Sequence, residues 1–275
     1  MTLRYLAPNL VTSLAMLLGM LAVVLAMEGA YTAAAWLVVW STFLDRADGV
    51  VARALRATSE FGVQMDSFAD FFNFGAVPAF IIYRALGAAP GLPFGAGMGR
   101  ALVLATCALW VLAASYRLAR FNSIADDPRY KGLFFGIPTT LAAGTLMTGF
   151  LAMVQYSGPG AEVAAAAAGP RLLGALAIPT SGWWVFLGWM LALALLKVSN
   201  MRVRKPIPGR SLSGVVIGVF GVVGLVGSAL RVLPELLVAI PSAFIVFWLL
   251  RQRRPELRAI PAPPMIPVTR ASSGS

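Results

Sequence analysis

The sequence predicts an all-α integral membrane protein, a bundle of about eight transmembrane helices around a polar active-site cavity facing the cytoplasm. Two observations support this fold class. Hydrophobic residues make up 59% of the 275 residues and only 12% are charged, while the mean hydropathy is +0.80. Apolar windows of about 20 residues, long enough for a helix to cross the hydrocarbon of a bilayer, recur along the chain.

The apolar windows are expected to be helices, because a helix satisfies its own backbone hydrogen bonds in lipid. The first window follows Pro8 and Asn9 and lacks a small-residue cleavage site, which favours a retained helix over a cleaved signal peptide. The second and third windows flank a polar cluster, and the fourth and fifth flank a basic connection. To within a few residues, the windows are Leu10–Met27, Tyr31–Val51, Phe61–Tyr83, Arg100–Tyr116, Leu133–Val154, Gly182–Val198, Leu212–Leu230 and Leu233–Leu250.

A single membrane domain over residues 1–254 accounts for all of these windows, since no inverted repeat is visible. Residues 255–275 are rich in Pro and Ser. We expect them to form a disordered cytoplasmic tail.

Basic residues are concentrated in every second connection between the apolar windows. This alternation predicts which side of the membrane each connection faces. One side carries only Arg84, Arg100, Arg171 and Arg231. Both termini are therefore expected in the cytoplasm, as for a multi-pass protein of a prokaryotic cytoplasmic membrane. The net charge of +11 indicates topology and attraction to anionic lipid, and not nucleic acid binding. The cytoplasmic side would carry Arg4, Arg53 with Arg56, Arg117–Lys131, Lys197–Arg210 and Arg251–Arg258.

The composition also restricts the chemistry. The chain has no histidine and one cysteine, Cys107. A histidine nucleophile, base or metal ligand is therefore excluded, as is an internal disulfide. Catalysis must use carboxylates, hydroxyls, basic groups or a bound metal.

Four aspartates between the second and third windows are the candidate functional centre. Asp45 and Asp48 share one helix face near the cytoplasmic end of the second window, and Asp66 and Asp70 share a face at the start of the third. The two windows run antiparallel after a short turn, so these faces can meet. Converging carboxylates repel each other unless divalent cations bind, and oxygen-only ligation suits Mg²⁺ or Mn²⁺ with phosphate oxygens. A nucleotide or pyrophosphate substrate is therefore expected.

Small residues lie beside these carboxylates. Gly49 and Ala52 remove side chains from the face that carries Asp45, and Gly62 opens the facing helix, so a flat or bulky group could dock there. Arg53 could cap helix carbonyls or contact a phosphate. Close packing of two membrane helices is the alternative interpretation of the small residues.

The complete spacing is D-x2-D-G-x2-A-R-x8-G-x3-D-x3-D, and it resembles the signature of the CDP-alcohol phosphotransferase family. The resemblance implies metal-dependent transfer of a phosphatidyl group from a CDP-linked lipid to an alcohol, with release of CMP. It also implies two divalent metals, a homodimer and roles for the signature residues. Asp45, Asp48, Asp66 and Asp70 would hold the metals, Asp70 would also be the base, and Gly49, Ala52, Arg53 and Gly62 would contact CDP.

Segments outside the signature resemble the phosphatidylserine synthase branch of this family, which uses CDP-diacylglycerol and L-serine. These segments include 8–12, 58–62, 74–79, 116–122, 135–138 and 198–202. Phosphatidylcholine synthesis from choline is the alternative within the family. A cation-coupled transporter, using the carboxylates as an ion site, is the alternative from another class.

Basic and amide side chains are candidates for binding serine or a lipid phosphate, since a guanidinium matches a carboxylate or phosphate. Positive-inside anchoring explains the arginines of the fourth window equally well. Snorkelling is the alternative for the later basic residues, and N-capping is the alternative for two further candidates that could contact nucleotide, Asn9 and Thr12. The serine or phosphate candidates are Arg117, Arg120, Asn122, Arg202, Arg204 and Lys205.

Overall fold

A computed structural model describes residues 3–54, 59–125, 127–130, 132–164, 171–204, 224–227, 229–252 and 260–263. The side chains of residues 3–8, 47–54 and 204 lie outside this description. The described chain is predominantly helical, as the sequence predicts. Its helices are α1 Leu3–Met27, α2 Tyr31–Ala54, α3 Glu60–Asp70, α4 Val77–Ala88, α5 Gly97–Ile124, α6 Thr139–Gln155, α7 Gly182–Val198 and α8 Pro234–Arg251.

Four of the described helical stretches are long and apolar enough to cross a membrane: Asn9–Met27, Glu60–Ala88, Gly97–Ile124 and Pro234–Arg251. Two shorter apolar helices are Thr139–Gln155 and Gly182–Val198. The predicted second window corresponds to α2. Most of the predicted window Leu212–Leu230 lies outside the described residues, as does the predicted tail apart from residues 260–263.

The start of the predicted window Leu133–Val154 is wrong, because its first residues form a strand. Strand β1, Leu133–Phe135, pairs antiparallel with β2, Arg202–Arg204, with Phe134 opposite Val203. Helix α6 begins only after a turn at Gly136, whose φ is +73°. A Cβ on Gly136 would lie 2.1 Å from the Lys197 carbonyl oxygen, so this close approach requires glycine. The all-α prediction therefore misses one small two-stranded sheet.

The helices pack in an order that brings distant parts of the sequence together. Helix α2 lies between α1 and α6, α8 packs on α6, and α7 packs on α5. Large side chains such as Trp36, Trp110 and Trp183 are buried between the helices. Apolar side chains such as Leu17 and Met98 remain exposed, as expected for surfaces that face lipid.

A π-helical turn, Phe71–Ala76, separates α3 from α4. The Trp110 indole Nε1 donates to the Phe74 carbonyl oxygen at 3.1 Å, from the neighbouring helix α5. Asn73 is buried in this turn and faces Gly19, where a Cβ would lie 2.0 Å from Asn73 Oδ1. Widened turns of this kind are frequent at functional sites, and this one directly follows Asp70.

Candidate active site

Helices α2 and α3 bring two signature carboxylates together. The Asp45 and Asp70 carboxyl groups lie within hydrogen-bonding reach of each other. Asp66 is close enough to Asp70 for the two charges to repel. The structure therefore brings Asp45 and Asp70 together, and Asp66 lies near enough for its charge to act on Asp70. Asp48 follows Asp45 by one turn on α2, but its side chain is outside the described residues.

Arg117 supplies positive charge to this cluster from α5. Its side chain is only 8% exposed, and its charge interacts with Asp70, Asp45 and Asp66. The guanidinium carbon lies 5.3 Å from the centroid of the Phe121 ring. Arg117 therefore lies as a buried guanidinium beside the three carboxylates.

The chemistry of the described aspartates is compatible with a hard divalent cation. Asp45, Asp66 and Asp70 offer only carboxylate oxygens, which are ligands typical of Mg²⁺ and Mn²⁺. Asp70 Oδ1 is buried and has no hydrogen-bond partner among the described residues. The described side chains alone contain no group of three that encloses an ion. A fourth carboxylate is expected on the same face of α2, at Asp48.

Of the residues predicted to contact CDP, Gly49, Ala52 and Arg53 lie on α2, with side chains outside the described set. Gly62 lies in the first turn of α3 and donates its N–H to the capping Ser59 hydroxyl at 3.0 Å. A Cβ on Gly62 would lie 3.4 Å from Asn9 Oδ1, so Asn9 and Gly62 are neighbours across α1 and α3.

Thr12 is buried on α1, at 5% exposure. It lies one turn from Asn9 on the same face of the helix.

A cavity of about 120 Å³ adjoins this cluster, and Arg117 and Arg120 form its polar wall. Its remaining wall comes from the end of α5 and from the connection to β1, including Tyr130 and Phe135. The connection is held by Arg129, whose side-chain hydrogen bonds to Asp127 lower the pKa of that carboxyl group. This cavity is large enough for a small polar molecule.

Arg120 is largely engaged in protein contacts. Its Nη1 donates to the Val198 carbonyl oxygen and to Asn200 Oδ1, and its Nη2 donates to the Ser199 carbonyl oxygen at 2.9 Å. Arg120 therefore caps the C-terminal end of α7 while it lines the cavity. This arrangement supports a structural role and reduces the donors left for a substrate.

Asn122 donates from Nδ2 to the Ser67 hydroxyl at 2.9 Å. Ser67 follows Asp66, so this bond ties the end of α5 to the aspartate helix.

Of the three later basic candidates, only the Arg202 side chain is among the described ones. Arg202 Nε donates to the Ile260 carbonyl oxygen at 2.8 Å, and its backbone N–H donates to Gln252. The Arg204 side chain and the whole of Lys205 lie outside the described residues. Lys197 is fully buried and contacts the Trp110 ring.

Two further residues near the site were not predicted from the sequence. Thr140 donates its hydroxyl to Asp45 Oδ2 at 3.1 Å, and Ser67 accepts the bond from Asn122. Thr140 follows Pro138 and Thr139 at the start of α6, and hydroxyl residues at a helix start are only a weak sequence signal of a functional role. Their partners become evident only from the fold.

Comparison with known proteins agrees with this geometry. A family model described as CDP-alcohol phosphatidyltransferase matches residues 5–196. That range contains the complete aspartate signature. The chain belongs to the CDP-alcohol phosphatidyltransferase family.

Individual members of the CDP-alcohol phosphatidyltransferase family add detail. A Helicobacter pylori strain J99 protein named CDP-diacylglycerol--serine O-phosphatidyltransferase is 34% identical over 198 residues, 72% of this chain and 71% of that protein. A Mycobacterium tuberculosis H37Rv protein of the same name is 32% identical over 202 residues, 72% of this chain and 60% of that protein. An archaetidylserine synthase of Methanothermobacter thermautotrophicus is 32% identical over 146 residues, 52% of this chain and 57% of that protein. The chain thus spans less than two thirds of the second and third relatives.

Proposed function

We propose that this chain is a phosphatidylserine synthase, which transfers the phosphatidyl group of CDP-diacylglycerol to L-serine and releases CMP. The observation that carries this proposal is the convergence of Asp45, Asp66 and Asp70 beside the buried Arg117. A carboxylate cluster with an adjacent guanidinium can hold cations, pyrophosphate and an anionic acceptor in one place.

Serine is favoured as the acceptor by the relatives and by charge. The names of the bacterial relatives include serine, and the archaeal relative is named archaetidylserine synthase. The names therefore share the serine acceptor although they differ in the lipid. Serine brings a carboxylate, whose natural partner is a guanidinium. The Arg117 guanidinium would supply that partner, with Asn122 on the same helix. Choline has no such anionic group.

The proposed mechanism assigns each described residue a task. Asp70 accepts the proton of the serine hydroxyl while the serine oxygen attacks the β-phosphorus of the CDP-lipid, and CMP leaves. Arg117 holds an anionic group of the substrates beside the carboxylates. Two Mg²⁺ or Mn²⁺ ions, held by Asp45, Asp48, Asp66 and Asp70, would neutralise charge on the pyrophosphate. The Gly49, Ala52, Arg53 and Gly62 positions, with Asn9 and Thr12, would receive CDP.

The membrane arrangement completes the proposal. We place about eight spans in the bilayer, with both termini and the site on the cytoplasmic side, as the basic residues predict. The lipid donor would enter laterally from the inner leaflet, and serine from water. We further propose that the enzyme is a homodimer.

The test is CMP release by the purified full-length protein in detergent with CDP-diacylglycerol and Mn²⁺. The acceptors compared are serine, choline, glycerol 3-phosphate and none. Serine-dependent release that EDTA abolishes is the expected result. Release with choline alone would overturn the serine assignment, and no release with any acceptor would overturn the proposed reaction.

A further inference from the structure

Thr140 is joined to the aspartate cluster although it lies 95 positions along the chain from Asp45. Its Oγ1 is 3.1 Å from Asp45 Oδ2. An ionised carboxylate can only accept hydrogen bonds, so the threonine hydroxyl is the donor. The bond connects the first turn of α6 to the cytoplasmic end of α2.

The backbone that presents this hydroxyl is well fixed. Pro138 directly precedes α6, and Gly136 contacts the Lys197 carbonyl so closely that a Cβ would not fit. The same turn is held by hydrogen bonds from Gly136 N to Met201 O at 2.8 Å and from Ile137 N to Leu196 O at 3.2 Å. Thr140 is therefore held in place from several directions.

The other groups that act on the Asp45 carboxylate are ionisable side chains. The Asp70 carboxyl group lies within hydrogen-bonding reach of the Asp45 carboxyl group, and Arg46 and Arg117 act on Asp45 through charge. Thr140 is the neutral donor in this set. A directional hydrogen bond to Oδ2 fixes the rotation of the carboxylate, whereas charge alone does so only weakly.

We propose that Thr140 is a positioning residue, which orients Asp45 for ligation of a divalent cation. This role rests on the proposed function, in which Asp45 is a metal ligand. Thr140 acts through Asp45 and does not itself contact substrate. Hydrogen bonds of this kind to metal ligands typically change metal affinity by about 10- to 100-fold when they are removed.

Helix α6 offers a matched control. Thr145 lies on the same helix, but its hydroxyl donates to the Leu141 carbonyl oxygen of its own helix at 2.7 Å. Both threonines line a small cavity of about 60 Å³ between α2, α6 and α8. Replacement by the nearly isosteric valine therefore removes a hydroxyl from the same surroundings in each case, and only Thr140→Val removes one from Asp45.

The experiment is a Mn²⁺ titration of the full-length protein in detergent without substrates. Free Mn²⁺ is measured by electron paramagnetic resonance, and the wild type is compared with Thr140→Val, Thr140→Ser and Thr145→Val. Thr140→Val is expected to weaken Mn²⁺ binding by about 10- to 100-fold, while Thr140→Ser and Thr145→Val bind as the wild type does. Thr140→Ala should show the same loss, and it replaces the valine variant if that protein fails to fold.

Two outcomes overturn the inference and remain distinguishable. Wild-type Mn²⁺ binding by Thr140→Val or Thr140→Ala would remove the positioning role and leave the proposed function intact. Failure of the wild type itself to bind Mn²⁺ would overturn the metal site of the proposed function together with the role of Thr140.

Discussion

The Lys197 amine lies 3.2 Å from the centroid of the Trp110 ring and donates a 3.2 Å hydrogen bond to the Trp110 carbonyl oxygen. From the same residue, the Trp110 indole donates to the Phe74 carbonyl oxygen at 3.1 Å. Phe74 belongs to the π-helical turn after Asp70. A buried lysine amine, an indole ring and a widened turn thus form one continuous support next to the aspartate cluster.

Trp110→Phe should destabilise the protein beyond the loss of ring volume. The substitution leaves the Phe74 carbonyl oxygen without its donor, and an unsatisfied buried acceptor costs about 1–3 kcal/mol. Trp36→Phe is the matched control, because Trp36 is also buried but its Nε1 has no hydrogen-bond partner among the described residues. Thermal unfolding in detergent should give a lower Tm for Trp110→Phe than for Trp36→Phe. Equal Tm values would show that the indole bond does not support the turn.

Gly19→Ala should disturb the same turn from the side of α1. The new Cβ would lie 2.0 Å from Asn73 Oδ1, and Asn73 is only 1% exposed and has little room to move. Overpacking of this kind costs about 1–3 kcal/mol. Gly188→Ala on α7 is the control, because nothing lies within 4 Å of its Cβ position and alanine favours a helix over glycine by up to about 1 kcal/mol. A Tm that falls for Gly19→Ala and holds or rises for Gly188→Ala is expected, and the reverse order would contradict the packing.

The aspartate cluster could be predicted from sequence because its geometry is local. Spacings of three and four residues place Asp45 with Asp48, and Asp66 with Asp70, on single helix faces. Only a short connection separates the two helices, so an antiparallel arrangement brings the faces together. The contact between Asp45 and Asp70 confirms this part of the prediction.

Other features depend on contacts between distant segments and could not be predicted in this way. The bond from Thr140 to Asp45 and the pairing of Phe134 with Val203 both require the packed helices. The window Leu133–Val154 is apolar throughout. Its hydropathy therefore does not indicate the boundary between β1 and α6. Only Gly136 and Pro138 indicate a turn there, through backbone preferences.

Arg117 and Arg120 should respond differently to substitution by lysine. A lysine at position 120 cannot satisfy the acceptors of Val198, Ser199 and Asn200 together, and each hydrogen bond from a charged group contributes about 1.5–3 kcal/mol. Arg120→Lys should therefore lower the Tm with a modest change in the serine KM. Arg117→Lys should raise the serine KM with a smaller effect on the Tm, because it replaces a planar donor that faces the site. Each variant is the control for the other. A raised serine KM for Arg120→Lys with a lowered Tm for Arg117→Lys would indicate that Arg120, and not Arg117, contacts the substrate.

Asp70→Asn should abolish turnover while the protein remains folded. The amide cannot accept the proton of the serine hydroxyl, and loss of a general base lowers rates by about 10²- to 10⁴-fold. The amide is similar in size to the carboxyl group and reduces the repulsion that Asp70 experiences from Asp45 and Asp66, so the Tm should hold or rise. Asp127→Asn serves as the control, since it removes a carboxylate whose partner is Arg129 in the connection after α5. CMP release in single-turnover assays should disappear only for Asp70→Asn. Wild-type turnover in that variant would show that Asp70 is not the general base.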